Sequence, residues 1–230
     1  MAAADETYLS DVHLYTPFLR TEKDNIAFTR FKILRRSESS ENCPSKEVER
    51  IIHECHQEID EDDDLSPPRK YIPRDVFTVI TIEHHLSTAV KDVGLQVWRG
   101  ALLLCDFLVY NEERFDRCTA LELGAGLGLC SIVLGRVAKR VFCTDVGDSI
   151  LRNCQRNVAT NSHLFKCGSD SVTVHEFDWL KPGLPTGNAP FCWTKEDQEA
   201  LKDVSVVLAA DVIYDDSLTD AFLETVLRLF

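Results

Sequence analysis

One nine-residue run, Leu121-Glu122-Leu123-Gly124-Ala125-Gly126-Leu127-Gly128-Leu129, limits what this chain can fold into more than any other feature. Three glycines at alternate positions let the backbone turn tightly and come close to a ligand. The run begins inside Thr119-Ala120-Leu121-Glu122-Leu123, which reads as a strand, and leads into Gly128 to Ala138, which reads as a helix. A glycine-rich passage from strand to helix is where parallel α/β sheets bind nucleotides.

The surroundings repeat that pattern. Arg140 to Thr144 is predicted as a second strand and Asp148 to Asn161 as a second helix. Ser171 to His175 makes a third strand, Val204 to Ala210 a fourth, and Ser217 to Phe230 a closing helix. Upstream, Val76 to Ile82 is β-rich, and Gly94 to Trp98 leads into a helix over Arg99 to Tyr110. Such alternation, without internal repeats, predicts an α/β fold, a Rossmann-like doubly wound sheet with helices on both faces. Ile26 to Leu34 alternates as a strand, whereas Ser37 to Asp64 is polar and ends in an acidic run before Pro67-Pro68. We therefore expect residues 1–70 to be an extension with a disordered acidic linker over 37–70, and 71–230 to be the main domain. His53, Cys55 and His56 lie in that linker without a second ligand pair at zinc spacing, so no metal is expected.

Composition narrows the function. A net charge of −13, from 38 acids against 25 bases, repels phosphate backbones and suits a partner of basic character. No stretch approaches the roughly 20 apolar residues of a membrane span, and Met1 to Ser10 lacks a signal core. Nine scattered cysteines without a Cys-x-x-Cys pair point to reduced thiols inside the cell. Nucleus and cytosol stay equally open.

The spacing of the glycines says more about the ligand. Dinucleotide folds carry Gly-x-Gly-x-x-Gly to hold a pyrophosphate, but Gly124, Gly126 and Gly128 are one residue tighter, and Glu122 stands two positions before them. A carboxylate there repels a pyrophosphate and favours a cationic nucleoside such as S-adenosylmethionine. Asp145 ends the second strand, 23 residues after Glu122, where an acid accepts the ribose hydroxyls; its other reading is a helix cap. Asp178 and Trp179 follow the third strand, placed for an adenine amino group and ring face, with core packing as the alternative for the indole. Asp211 and Tyr214 follow the fourth strand, beyond whose end ligands bind, and together can hold an amine; a cap on the next helix is the plainer role for Asp211.

Taken jointly, Gly94 to Trp98, the run Glu122 to Leu129, Thr144-Asp145, Asn157 with Asn161, Asp178-Trp179 and Asp211-Val212-Ile213-Tyr214 resemble the seven-strand protein lysine methyltransferases of the methyltransferase-like group. The resemblance covers roughly Tyr71 to Phe230. It implies the class I methyltransferase fold and S-adenosylmethionine as cofactor. Trp98, Glu122, Gly124, Ala125, Gly126, Gly128, Asp145, Asp178 and Trp179 would then line the cofactor, and Asp211 and Tyr214 would face a lysine of a protein substrate. That family's fold continues through three more strands after the fourth, so a shortened form, weak in folding or activity by itself, is expected. The rival expectations are a nicotinamide dehydrogenase, a methyltransferase with another acceptor, and a non-catalytic interaction module.

Overall fold

The computed structural model describes residues 7–12, 25–34 and 77–229. The acidic linker, with His53, Cys55 and His56, lies outside the described residues. Described residues up to Arg30 and from Thr81 onward form one compact unit; Phe31 to Leu34 and Phe77 to Ile80 belong to a second.

The first unit is organised by a parallel sheet of β5 (Thr119–Leu123), β6 (Arg140–Asp145), β7 (Val172–Glu176) and β8 (Val206–Ala209). Their order is β7-β6-β5-β8, with Leu121 level with Phe142 on one side and Val207 on the other. The chain steps outward from β5 through β6 to β7, then returns across β5 to β8. That reversal opens a crevice at the carboxyl ends of β5 and β8, where ligands settle in such sheets.

Alternation along β5 divides the core. Leu121 and Leu123 face Phe142 and the buried Trp193, with Trp179, Phe222 and Val226 packed around them. Trp193 stacks on His175 at 4.3 Å and donates its indole N–H to the Glu176 carbonyl at 2.8 Å, so the ring is both buried and satisfied. Each such large side chain contributes roughly 1.5–3 kcal/mol of burial. On the opposite face, Glu122 and Cys143 lie under α2 (Leu129–Gly135) and α3 (Asp148–Asn161). Every residue of α2 is buried, because it is sandwiched between the sheet and α1 (Arg99–Tyr110). Helices thus cover both faces, and the doubly wound α/β fold expected from the alternation is present.

Several elements are not the expected ones. β1 (Thr7–Leu9) pairs antiparallel with β4 (Ser87–Ala89), and β2 (Ile26–Leu34) pairs with β3 (Phe77–His85). Within the expected extension, Thr7–Leu9 is therefore hydrogen-bonded to Ser87–Ala89. Buried Gln96 fixes this, accepting the Ser10 N–H at 2.7 Å while donating to the Tyr8 carbonyl and Thr88 Oγ1. α4 (Lys195–Ala200) arises inside the expected loop, where Thr194 and Asp197 form a reciprocal cap. α2 ends at Gly135, earlier than expected, where the backbone comes so close to Val172 and Phe165 that a Cβ would meet them at 2.6 and 2.9 Å. α5 (Asp216–Leu229) follows β8.

The run Val90–Tyr110 has the length and hydropathy of a membrane span, a property its mixed composition hid. Extended backbone at Gln96 and Trp98 divides it, and α1 at 12 residues spans only about 18 Å. All seven cysteines among the described residues are free.

Candidate active site

β5 delivers the chain into the glycine turn, where Gly124, Gly126 and Gly128 take φ of 67°, 53° and 78°. These left-handed values suit glycine. Space demands it as well. A Cβ on Gly126 would stand 2.9 Å from the Gly94 carbonyl, and one on Gly124 would stand 2.8 Å from Val212 and 3.3 Å from the Trp179 ring. The turn, Gly94, Trp179 and Val212 therefore converge from four separate stretches of chain.

Three amides of the turn are already committed within the protein. Ala125 donates to the Thr144 carbonyl at 2.9 Å, Gly126 to Asp145 Oδ2 at 2.7 Å and Gly128 to the Ala125 carbonyl at 2.8 Å. Dinucleotide folds leave such groups, and the following helix N-terminus, free for a pyrophosphate. At the start of the helix one amide, that of Ser131, is taken as well. Glu122, 2% exposed, lies beneath the turn and accepts both the backbone N–H of Ser131 at 2.8 Å and its hydroxyl. Gly128, the residue before α2, offers no side-chain cap, so the acid of β5 supplies it.

This changes the task expected of Glu122. Alternation along β5 turns it away from Leu121 and Leu123 and onto α2, so it sits under the turn and its carboxylate is used internally. It satisfies one amide in the first turn of α2 from inside the core. Burial pushes its carboxyl up to about 7, with the Asp145 charge adding, against hydrogen bonds from Ser131 and Cys130.

Asp145 stays at the crevice. It holds the Gly126 N–H with one oxygen and the Val146 N–H with the other, at 2.7 Å each, leaving lone pairs on both for a diol. Burial raises its carboxyl above the usual range, and those two bonds oppose the shift. Trp98 precedes α1 and donates its indole N–H to the Val93 carbonyl at 3.0 Å, which fixes the short turn Val90–Leu95 carrying Gly94. Trp179 packs over Gly124 and against Phe222 at 5.3 Å, while its buried indole N–H has no partner among the described residues. Asp178 is engaged in a local turn, accepting the Leu180 N–H at 3.0 Å and pairing with Lys181 at 2.9 Å.

Asp211 leaves β8 with φ of 55°, a left-handed conformation unusual for a residue with a side chain. Held strain of this kind clusters at functional sites. Asp211 does not cap α5, which begins five residues later. Its Oδ2 accepts the Gly100 N–H at 2.6 Å, at the start of α1. Asp11 reaches the same helix end, accepting the Arg99 N–H at 3.3 Å and pairing with its guanidinium at 3.6 Å. Tyr214 is 61% exposed; desolvation of its hydroxyl, then the charges of Asp145 and Asp215, raise its pKa. Sequence reasoning named Gly94 only as part of the shared pattern, and missed Gly100 and Asp11 as neighbours of the site.

A nucleoside with a cationic end fits this arrangement. The crevice offers carboxylate acceptors at Asp145 and Asp211, an orphaned indole donor at Trp179 and a backbone approach that only glycine permits.

The family model of the lysine methyltransferases matches residues 78–230, and the chain belongs to that family. Methyltransferase-like protein 22 of Homo sapiens is 46% identical over 193 residues, covering 83% of this chain and 47% of its own length. The Mus musculus protein of that name is 50% identical over 171 residues, covering 74% of this chain and 43% of its own. The chain thus spans about half the length of these curated relatives. Among solved structures, magnesium protoporphyrin IX methyltransferase (ChlM) from Synechocystis PCC 6803 with bound SAH is similar at 17% identity and a TM-score of 0.39, covering 60% of this chain and 54% of its own. The fold assignment rests on the family and the strand order. A methyltransferase domain of this class I type takes its methyl group from S-adenosylmethionine, the cofactor expected from the sequence.

Proposed function

We propose that this chain carries the donor half of a protein methyltransferase that transfers a methyl group from S-adenosylmethionine to the side chain of a protein lysine. The supporting observation is the place of Asp211: strained, anchored to Gly100 and adjacent to Val212, which packs on Gly124 of the glycine turn. An acceptor carboxylate is thereby set beside the proposed donor.

When bound, S-adenosylmethionine supplies an activated methyl group on a sulfonium. The chain's own residues would do the rest. Asp145 would hold the ribose diol, Trp179 would offer its ring face and free N–H, and Trp98 would keep the Val90–Leu95 turn closed over Gly126. A lysine must be neutral to attack, against an ordinary pKa of about 10.4. Asp211 would orient the nitrogen, Tyr214 would flank it, and exclusion of water would lower that pKa. Positioning and desolvation then supply most of the acceleration. The acidic surface, at −13 overall, suits a basic protein as target.

The test is incubation of the protein with cell lysate and radiolabelled donor, followed by identification of the labelled residue. Labelled lysine, lost in Asp211→Ala while adenosylhomocysteine binding persists, is the expected result. Transfer by Asp211→Ala at the wild-type rate, or label on another side chain, would overturn the reading.

A further inference from the structure

The asparagines of α3 have no part in the function proposed above, yet they are buried and fully engaged. Asn153, Asn157 and Asn161 stand four apart on one helix face, each 1% exposed. They act on β3 as a surrogate strand. Asn161 accepts the Thr81 N–H at 3.0 Å and donates to the Thr81 carbonyl at 2.8 Å. Asn157 does the same for Glu83, at 2.8 and 3.0 Å, and Asn153 adds a second donor to the Glu83 carbonyl at 3.0 Å. A side-chain amide presents the donor and acceptor of a peptide group, so a helix here satisfies the edge of a strand.

Asn157 reaches further. Its amide nitrogen also bonds the Leu127 carbonyl, at 3.1 Å. Leu127 is the buried residue between Gly126 and Gly128, whose freedom of φ lets the intervening peptide rotate. One amide therefore clamps both Glu83 of β3 and the peptide most able to deform the turn.

We infer that Asn157 is a positioning residue for the cofactor: it holds the glycine turn in its binding shape and couples that shape to β3 at Glu83. The inference rests on the proposed function, which puts the methyl donor at this turn. Asn161 provides an internal control, with the same pair of bonds to β3 and its remaining bond to the Asn157 carbonyl instead of the turn.

The experiment compares Asn157→Ala with Asn161→Ala, using calorimetry with adenosylhomocysteine and thermal melting. Both variants should melt earlier, since both strand buried backbone groups. Asn157→Ala should weaken binding about tenfold and Asn161→Ala less than about twofold, consistent with loss of one positioning hydrogen bond. In the wild-type chain, which needs no variant to fold, adenosylhomocysteine should slow amide exchange at Glu83 at least about fivefold more than at Thr81, since coupling is reciprocal. Equal affinities for the two variants, or equal protection of the two amides, would overturn the inference. A wild-type chain that does not bind adenosylhomocysteine would instead refute the donor site itself, and the inference with it.

Discussion

The backbone N–H of Gly100 and the carboxylate of Asp211 meet at 2.6 Å, and a Cβ on Gly100 would lie 2.5 Å from that carboxylate. A glycine in the first turn of a helix ordinarily weakens it by about 1 kcal/mol relative to alanine. Its presence at position 100 leaves room for the acid.

Gly100→Ala should therefore separate stability from activity. The melting temperature should hold or rise, because the exposed Asp211 side chain can swing aside. Methyl transfer to lysate protein should fall at least about tenfold, since catalytic positioning tolerates little displacement. Adenosylhomocysteine affinity, read by calorimetry, should stay within about twofold. Unchanged transfer would remove Asp211 from the acceptor site.

Gly126→Val adds a branched side chain at φ of 53°, 2.9 Å from the Gly94 carbonyl. Left-handed backbone alone costs roughly 1–2 kcal/mol for such a residue, and the collision should open the turn. Adenosylhomocysteine binding should weaken by at least about tenfold. Gly183→Val is the control, because Gly183 has φ of 78° with nothing within 4 Å of its would-be Cβ. It should bind normally.

Glu122 predicts a pH dependence. Its carboxyl titrates near 7 in the fold against an ordinary 4.5, so the folded state holds the proton longer. Stability from this group is fully present below about 4.5 and is lost as pH rises to 7, by roughly 3 kcal/mol. Glu122→Gln cannot titrate. Its melting temperature should fall less between pH 5 and pH 8 than the wild type's, by roughly 5–10 °C. Parallel curves would show that the carboxyl is ionised throughout.

Gln96 ties β1 to the domain. Gln96→Ala removes the acceptor of the buried Ser10 N–H and the donor to Thr88 Oγ1, for a loss of about 2–3 kcal/mol. Urea titration should register that loss, and amide exchange at Ser10 should accelerate to the rate of local opening.

Much of this architecture was legible from periodicity. α1, β5 and α3 lie where apolar spacing placed them, because their patterns are long or fully buried. β1 and β4, at three residues each, are too short to show alternation, and their pairing depends on Gln96, 86 residues from Ser10. The glycine turn and Asp145 lie at strand ends, and Trp179 beside them, because a strand end followed by a turn constrains position strongly. The place of Glu122 was available in the same alternation, since a residue between Leu121 and Leu123 must face the other way. What local sequence could not supply was the reach of Asp11 and Asp211 to one helix end, a relation set by tertiary packing.

The internal cap on α2 also decides what props up the start of that helix. Ser131 is wholly buried, and its N–H and hydroxyl both end on a side chain from the strand below. A substitution such as Glu122→Ala would strand both groups where water does not reach them. The rim of the crevice is thus underpinned from within the core, by an acid placed where the apolar alternation of β5 leaves a gap.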